Sequence, residues 1–150
     1  MKLHFKYQPF QAEAAAAVCD VFQGQPYCDA VYRREQDSEM NAQTAMEHDL
    51  TSFRNCPLTA ALTPGRLLQN LRAVQRRTGL PPSDELAGPG INLSIEMETG
   101  TGKTYTYVKT IYELNLRYGW CKFIVVVPSI AVREGVFQFF KASQDDFAEE

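Results

Sequence analysis

Apolar residues recur at helical spacing in four parts of the chain and predict four helices. The first covers residues 10–22, and the second begins at Pro64 and ends before Gly79. The third and fourth cover residues 103–117 and 131–142, where apolar positions again repeat every three or four residues. The second helix has the clearest ends: Thr63 can cap it, Pro64 suits its first position, and Gly79 with the prolines beyond can stop it.

Two short apolar segments between these helices predict β-strands. Residues 91–96 follow a Pro/Gly-rich linker at 80–90, and residues 122–127 contain five apolar residues without polar alternation, as in a buried strand. Strand, helix, strand and helix in this order predict an α/β fold with parallel strands and crossover helices. We therefore divide the chain into a helical region at 1–90 and an α/β region at 91–150, with residues 27–55 as an irregular insert.

The charge distribution is uneven although the net charge is only −3. Residues 66–77 carry four arginines and no acid, and residues 101–141 carry a net charge of +4. Arginines at the end of the second helix complement the helix dipole and favour solubility, and this explanation is preferred over DNA contact. No apolar run is long enough to cross a bilayer and the first residues do not resemble a signal peptide, so we expect a cytoplasmic protein without membrane contact.

The four cysteines are not spaced as metal ligands. Cys19, Cys28, Cys56 and Cys121 form no C-x-x-C pair, and neither histidine lies near two of them. A zinc site needs closely spaced ligands, so none is expected. We expect buried or free thiols in a reducing compartment.

A glycine-rich segment between the first predicted strand and the following helix carries the clearest chemical signal. It has the sequence Thr-Gly-Thr-Gly-Lys-Thr at 99–104, in the strand–loop–helix context of a phosphate-binding loop. Its glycines let the backbone wrap an anion, whose charge is also favoured by the start of the helix. Lys103 can reach the β- and γ-phosphates of ATP, and the Thr104 hydroxyl can bind Mg²⁺. The predicted nucleotide-binding residues of the loop are Thr99, Gly100, Thr101, Gly102, Lys103 and Thr104.

The loop departs from the general G-x-x-x-x-G-K-[ST] pattern at one position. Met97 stands where the first glycine is expected. This departure weakens the match to kinases and small GTPases and suits the T-G-x-G-K-T variant of helicases. A chance glycine-rich turn is the alternative, but that sequence rarely arises by chance between a strand and a helix.

The motifs at 97–104, 123–129 and 133–135 together resemble motifs I and Ia of the restriction subunit of type III restriction-modification enzymes. Residues 62–71 and 118–123 resemble the same family. The resemblance covers residues 62–140 well and the first helix more loosely. It implies a partial RecA-like P-loop domain from the start of a superfamily 2 DNA translocase and endonuclease, which uses ATP and Mg²⁺, acts on double-stranded DNA and works with a modification (methyltransferase) subunit.

The resemblance also implies roles for residues outside the loop. Gln11 is similar to the glutamine that reads adenine in such translocases, with Gln8 as the alternative and a simple polar helix start as the competing interpretation. The Pro128-Ser129 turn, with Arg133 after it, resembles the motif that contacts the DNA backbone. Without the resemblance this segment would be a turn that ends a strand.

An acidic D-E-x-x motif, a second RecA-like domain and nuclease residues are expected of such an enzyme, and none is recognisable in this sequence. Neither Asp84-Glu85 nor Asp145-Asp146 follows a suitable strand. Since hydrolysis requires groups that stabilise the transition state, we expect the isolated chain to be inactive, with Lys103 catalytic only in the complete enzyme. The alternatives are a fragment of another superfamily 2 helicase and a non-catalytic segment that binds DNA or a partner.

Overall fold

The computed structural model describes residues 8–28, 31–34, 51–88 and 90–148. The helices and strands in this part of the chain are α1 (Pro9–Val21), β1 (Val31–Arg34), β2 (Thr51–Arg54), α2 (Pro64–Arg77), α3 (Lys103–Tyr118) and α4 (Ile130–Ala148). All four predicted helices are confirmed, and α4 continues six residues beyond its predicted end at 142. No helix in the described ranges is long and apolar enough to cross a membrane.

Local sequence accounts for the ends of α1 and α2. Pro9 occupies the first turn of α1, where its missing N–H costs no helical hydrogen bond, and five alanines follow. The Thr63 hydroxyl accepts a hydrogen bond from the Arg66 amide and caps α2 as predicted. After α2, Gly79 has a φ of 74°, which glycine adopts without steric cost.

The core lies on both sides of α1. One cluster joins α1 to α2 through Val21, Leu67 and Val74, and the Asn70 amide donates to the carbonyl oxygens at the end of α1. The opposite cluster joins α1 to α3 through Cys19, Leu114 and Tyr118. Helix α1 is therefore the central helix of the packing, and it holds α3 in a fixed position relative to α2.

One carboxylate connects all three of these helices. Asp20 at the end of α1 accepts hydrogen bonds from Arg77 of α2 at 2.7 Å and from Arg117 of α3 at 2.9 Å. Arg117 also pairs with Glu113 one turn earlier on α3, at 3.0 Å. Asp20 is partly exposed, so these ion pairs orient the helices more than they stabilise them.

The predicted α/β fold with parallel strands is wrong for the part of the chain that the structure describes. Residues 91–96 and 122–127 form no strands, and the described sheet is an antiparallel pair of β1 and β2. The part of the chain that the structure describes contains four helices and one two-stranded antiparallel ladder. The RecA-like assignment therefore does not describe this structure, and the boundary proposed at residue 90 stays a prediction.

Other hydrogen-bond partners occupy the beginnings of both segments that were predicted as strands. Asn92 forms an isolated antiparallel bridge with Ala87 and its side chain donates to the Ala87 carbonyl, so the chain turns back on itself there. The Asn55 side chain accepts from the amides of Cys121 and Lys122 and donates to the Lys122 carbonyl. A strand needs a hydrogen-bonded neighbour, and neither segment has one along its length in the described ranges.

The insert predicted at 27–55 contains β1 and β2, and it is therefore more regular than expected where it is described. Residues 29–30 and 35–50 of that insert lie outside the described residues. Cys28 and Cys56 are joined by a disulfide, which corrects the expectation of free thiols for these two cysteines. Cys19 is a buried free thiol and Cys121 an exposed one, as expected.

Candidate nucleotide-binding site

The glycine-rich loop leads directly into α3. Gly100 and Gly102 have φ values of 83° and 82°, in the left-handed region that other residues rarely adopt. Gly102 is the N-cap of α3, and Lys103 is the first residue of the helix. Both glycines are thus needed for the path by which the backbone enters the helix.

Backbone amides at the start of α3 are available to an anion. Within the described ranges, the N–H groups of Lys103 and Thr104 donate to no backbone carbonyl, whereas the Thr106 amide donates to the Gly102 carbonyl at 3.0 Å. The loop is closed beneath them by the Thr101 hydroxyl, which donates to the Glu98 carbonyl at 2.6 Å. A phosphate suits such a site because it accepts hydrogen bonds from amides and is attracted by the positive end of the helix dipole.

Gln11 of α1 contacts this loop directly. Its side-chain amide nitrogen donates to the Thr101 carbonyl at 2.8 Å. A Cβ atom at Gly102 would overlap the same amide group, so the absence of a side chain there is what lets Gln11 approach. The structure therefore brings Gln11 together with the loop residues, and its role in adenine recognition stays a prediction.

Lys103 and Thr104 occupy the first turn of α3, next to the amides described above. Lys103 is exposed, and its side chain lies at the edge of a groove of about 500 Å³ that Met97 also lines. The remaining lining is mostly apolar and comes from α1, α3 and the two segments predicted as strands, namely Val18, Ile95, Thr106, Tyr107, Thr110, Ile111 and residues 123–127. The open loop, the adjacent cation and the neighbouring hydroxyl fit the phosphates of a nucleotide together with a divalent cation.

Two hydroxyl groups on the groove side of α3 have no hydrogen-bond partner in the described structure. They belong to Thr106, which is only 3% exposed, and to Tyr107. Burial raises the pKa of the Tyr107 phenol, and the Thr104 side chain lowers it in part. Thr104 lies one turn before Tyr107 on the same face of α3, and their oxygens form no hydrogen bond of standard geometry in the described structure.

Tyr107 lies close to the site although its sequence position does not indicate a role there. The tyrosines of α3 fall among apolar positions of an amphipathic helix, where aromatic side chains usually pack in the core. The available signal was its spacing, since Tyr107 lies three residues after Thr104 and so on the same face of the helix.

The predicted DNA-contacting residues lie at the start of α4. The Ser129 hydroxyl accepts from the Val132 amide at 3.3 Å, so Ser129 acts as a helix cap. Arg133 is exposed and pairs with the adjacent Glu134 at 2.8 Å, and Pro128 is exposed as well. In the described structure, no hydrogen bond or ion pair joins these three residues to the loop at 99–104.

Comparison with known proteins gives one consistent family. A family model described as "Type III restriction enzyme, res subunit" matches residues 5–150. The chain is 36% identical over 96 residues to the Res subunit of the type III restriction-modification enzyme EcoP15I of Escherichia coli, covering 59% of this chain and 10% of that protein. The EcoPI Res subunit of Escherichia phage P1 gives the same identity and coverage.

A third relative matches a shorter stretch more closely. The StyLTI Res subunit of Salmonella typhimurium is 52% identical over 48 residues, which cover 32% of this chain and 5% of the relative. The chain thus spans a tenth or less of the length of these relatives.

Proposed function

Since the chain belongs to the type III restriction enzyme Res subunit family, we propose that its glycine-rich loop binds the phosphates of ATP for an ATP-dependent DNA translocase and endonuclease. The observation that carries this proposal is the loop geometry. Two glycines with positive φ values precede α3, and the amides of Lys103 and Thr104 have no backbone acceptor in the described structure. Such a loop presents N–H groups to an anion without further rearrangement.

Lys103 supplies the side-chain cation of the site. It follows Gly102 at the first position of α3, is exposed, and has no carboxylate partner among the described ion pairs. Its ammonium group can therefore reach the β- and γ-phosphates without first breaking an ion pair. In the complete enzyme it would also stabilise the charge that develops during phosphoryl transfer.

Thr104 would hold Mg²⁺ through its hydroxyl oxygen. A bound Mg²⁺ prefers oxygen ligands and neutralises charge on the phosphate oxygens. Its further ligands in such a site come from the nucleotide and water, and a single protein hydroxyl is an ordinary contribution. Mg²⁺ would enter the site together with the nucleotide, whose phosphate oxygens bind it.

Gln11 would contribute to base recognition as well as to loop structure. One amide N–H is used by the Thr101 carbonyl. A glutamine side chain has a second N–H and a carbonyl oxygen, which is the donor and acceptor pair that the edge of adenine requires. Gln11 would thus connect the base to the phosphate loop through a single side chain.

The DNA and protein partners are inferred from the family. We propose that Ser129, Pro128 and Arg133 at the start of α4 contact a phosphate of double-stranded DNA, since all three are exposed and the side chain of Arg133 pairs with an exposed neighbouring glutamate. A modification subunit would recognise and methylate the DNA, as the names of the relatives indicate that they belong to restriction-modification enzymes.

The isolated chain should bind nucleotide without turning it over. Its Asp84-Glu85 pair lies beyond the end of α2, where the carbonyl oxygens of Ser83 and Asp84 accept from Arg72, and not beside the loop. A non-catalytic role in holding DNA or a partner subunit is the second candidate for the isolated chain, and nucleotide binding without phosphate release favours it.

Calorimetric titration of ATP, with and without Mg²⁺, tests the proposal on this 150-residue chain. Lys103→Ala should weaken binding about tenfold or more, since it removes a charge-assisted contact of about 1.5–3 kcal/mol. The matched control is Lys141→Ala, which removes another exposed lysine, outside the loop on α4. Equal affinity of the wild type and Lys103→Ala would exclude the assignment, and phosphate release that Lys103→Ala abolishes would contradict the expected inactivity.

A further inference from the structure

Tyr107 lies one helical turn after Thr104, on the face of α3 that lines the groove. Helical side chains point back towards the N-terminus, so the ring of residue i+3 extends over residue i. Thr104 and Tyr107 share one face of α3 at this spacing, and the Tyr107 hydroxyl is buried without a partner in the described structure. A buried hydroxyl without a partner is costly, which calls for a partner in some functional state.

Metal binding would change what the Thr104 hydroxyl needs. A threonine hydroxyl has one proton and two lone pairs, and coordination to Mg²⁺ uses a lone pair of the oxygen. The proton is then directed away from the cation and requires an acceptor on the protein side. The phenol oxygen of Tyr107 can accept that proton in a hydrogen bond and can still donate its own.

We propose that Tyr107 is a positioning residue that accepts a hydrogen bond from the Thr104 hydroxyl and thereby turns its oxygen towards the Mg²⁺ of bound Mg·ATP. The inference rests on the proposed function of the loop. It extends that function by assigning the orientation of the metal ligand to a second residue of α3. Outer partners of this kind fix the geometry of a ligand and commonly contribute tenfold or more to metal affinity.

The other hydroxyl without a partner cannot take this role. Thr106 lies two residues after Thr104, and residues at that spacing do not face each other on a helix. Spacing by three residues therefore selects Tyr107 over Thr106 as the partner of Thr104.

The experiment compares ATP binding in MgCl₂ and in EDTA for the wild-type chain and Tyr107→Phe. The substitution removes one oxygen atom and retains the ring that packs in the groove. We expect about a tenfold loss of affinity in MgCl₂ and no change in EDTA. Tyr112→Phe, which removes a phenol hydroxyl from a more distant turn of the same helix, is the matched control and should leave both affinities unchanged.

A second comparison shows whether Tyr107 acts through Thr104. Thr104→Ala should abolish most of the gain in affinity that Mg²⁺ gives, and adding Tyr107→Phe to it should have no further effect. Independent losses in the double variant, or an equal loss in MgCl₂ and EDTA for Tyr107→Phe alone, would assign Tyr107 to packing and overturn the inference. The inference would also be overturned if Mg²⁺ raised the ATP affinity of Tyr107→Phe as much as that of the wild type.

The outcomes separate this inference from the function on which it rests. A wild-type chain that binds no ATP in either buffer rejects the nucleotide-binding loop, and the role of Tyr107 falls with it. A wild-type chain that binds ATP more tightly with Mg²⁺, combined with an unaffected Tyr107→Phe, retains the loop and rejects Tyr107 alone.

Discussion

The Gln11 side-chain amide and the Gly102 backbone are in such close contact that a Cβ atom at residue 102 would overlap the amide. The same amide donates to the Thr101 carbonyl at 2.8 Å and so connects α1 with the loop before α3. Packing between the two helices and the shape of the loop are thereby linked through one side chain.

The first prediction concerns Gly102→Ala and its dependence on Gln11. Alanine at this position should lower the free energy of unfolding by about 1–2 kcal/mol from the positive φ alone, with a further loss from overlap with Gln11. Gln11→Ala should remove the overlap, so the double variant should be more stable than the sum of the two single losses predicts. Urea unfolding of the four proteins measures this coupling, and strictly additive losses would contradict the contact.

A second prediction concerns the choice of base. Gln11→Ala should reduce the preference for ATP over GTP. The substitution removes the second amide N–H and the carbonyl oxygen of the side chain, which are the groups proposed to pair with adenine. Competition between the two nucleotides at fixed Mg²⁺ measures the preference. Gln8→Ala is the matched control, and an unchanged preference in Gln11→Ala would move base recognition away from this residue.

The third prediction concerns the state of the cysteines. Alkylation of the folded chain without a reductant should label Cys121, which is exposed, and spare Cys19, which is buried. Unfolding without a reductant should expose Cys19, while peptides containing Cys28 and Cys56 should stay joined in the mass spectrum. Labelling of all four cysteines under these conditions would contradict the disulfide.

Reduction should destabilise the chain. The bond closes a loop between residues 28 apart in sequence, and a loop of that length corresponds to a stabilisation of about 3–4 kcal/mol in the chain-entropy model. Urea unfolding with and without dithiothreitol measures the difference. The variant with serine at both Cys28 and Cys56 should reproduce the reduced protein and should not respond to the reductant.

A fourth prediction follows from the buried thiol of Cys19. Burial raises its pKa from 9.0 to about 11 in the folded chain. Between these values the unfolded chain loses the thiol proton while the folded chain keeps it, so the free energy of unfolding should fall as the pH rises through this window. Burial also raises the pKa of the Tyr118 phenol, which acts in the same direction.

The test of this pH dependence uses Cys19→Ala. The substitution should make the loss of stability at alkaline pH shallower, whatever it does to the stability at neutral pH. Both proteins should carry Cys121→Ser, so that an exposed thiolate cannot attack the disulfide. Identical slopes in the two proteins would show that Cys19 does not titrate in this window.

The fifth prediction concerns the carboxylate shared by three helices. Asp20→Asn should lower the free energy of unfolding by about 0.5–2 kcal/mol, since it weakens two partly exposed ion pairs. The difference should shrink at high salt, because screening weakens exposed pairs in the wild type. Glu134→Gln removes a more exposed pair with Arg133 and should have almost no effect on the free energy of unfolding. If both variants lost the same amount of stability, Asp20 would not connect the three helices.

Elements with local signals could be predicted from the sequence, and α2 shows why. Its cap at Thr63, its first-turn proline and its terminal glycine all act within a few residues of the helix end. The loop at 99–104 was equally visible, because glycine conformations and the start of a helix are encoded next to each other. Its assignment to ATP stays a prediction.

Pairing between distant segments could not be predicted in the same way. Residues 122–127 have the composition of a buried strand, but strand formation depends on a neighbour, and the Asn55 side chain binds the backbone where the segment begins. The contact that links Asn55 to Lys122 joins residues 67 apart, and the apolar pattern contains no information about it. The disulfide and the Asp20 ion pairs also join residues far apart in sequence, so the local pattern did not predict them either.

The aliphatic segment that follows Lys122 has a consequence for handling the protein. Ile124 and Val126 are 85% and 87% exposed, within five consecutive apolar residues that favour β-structure. Short exposed segments of this composition favour cross-β stacking between molecules. The charge of Lys122 and the missing N–H of Pro128 flank the segment as gatekeepers, so replacing either should shorten the lag time of fibril formation measured by thioflavin fluorescence.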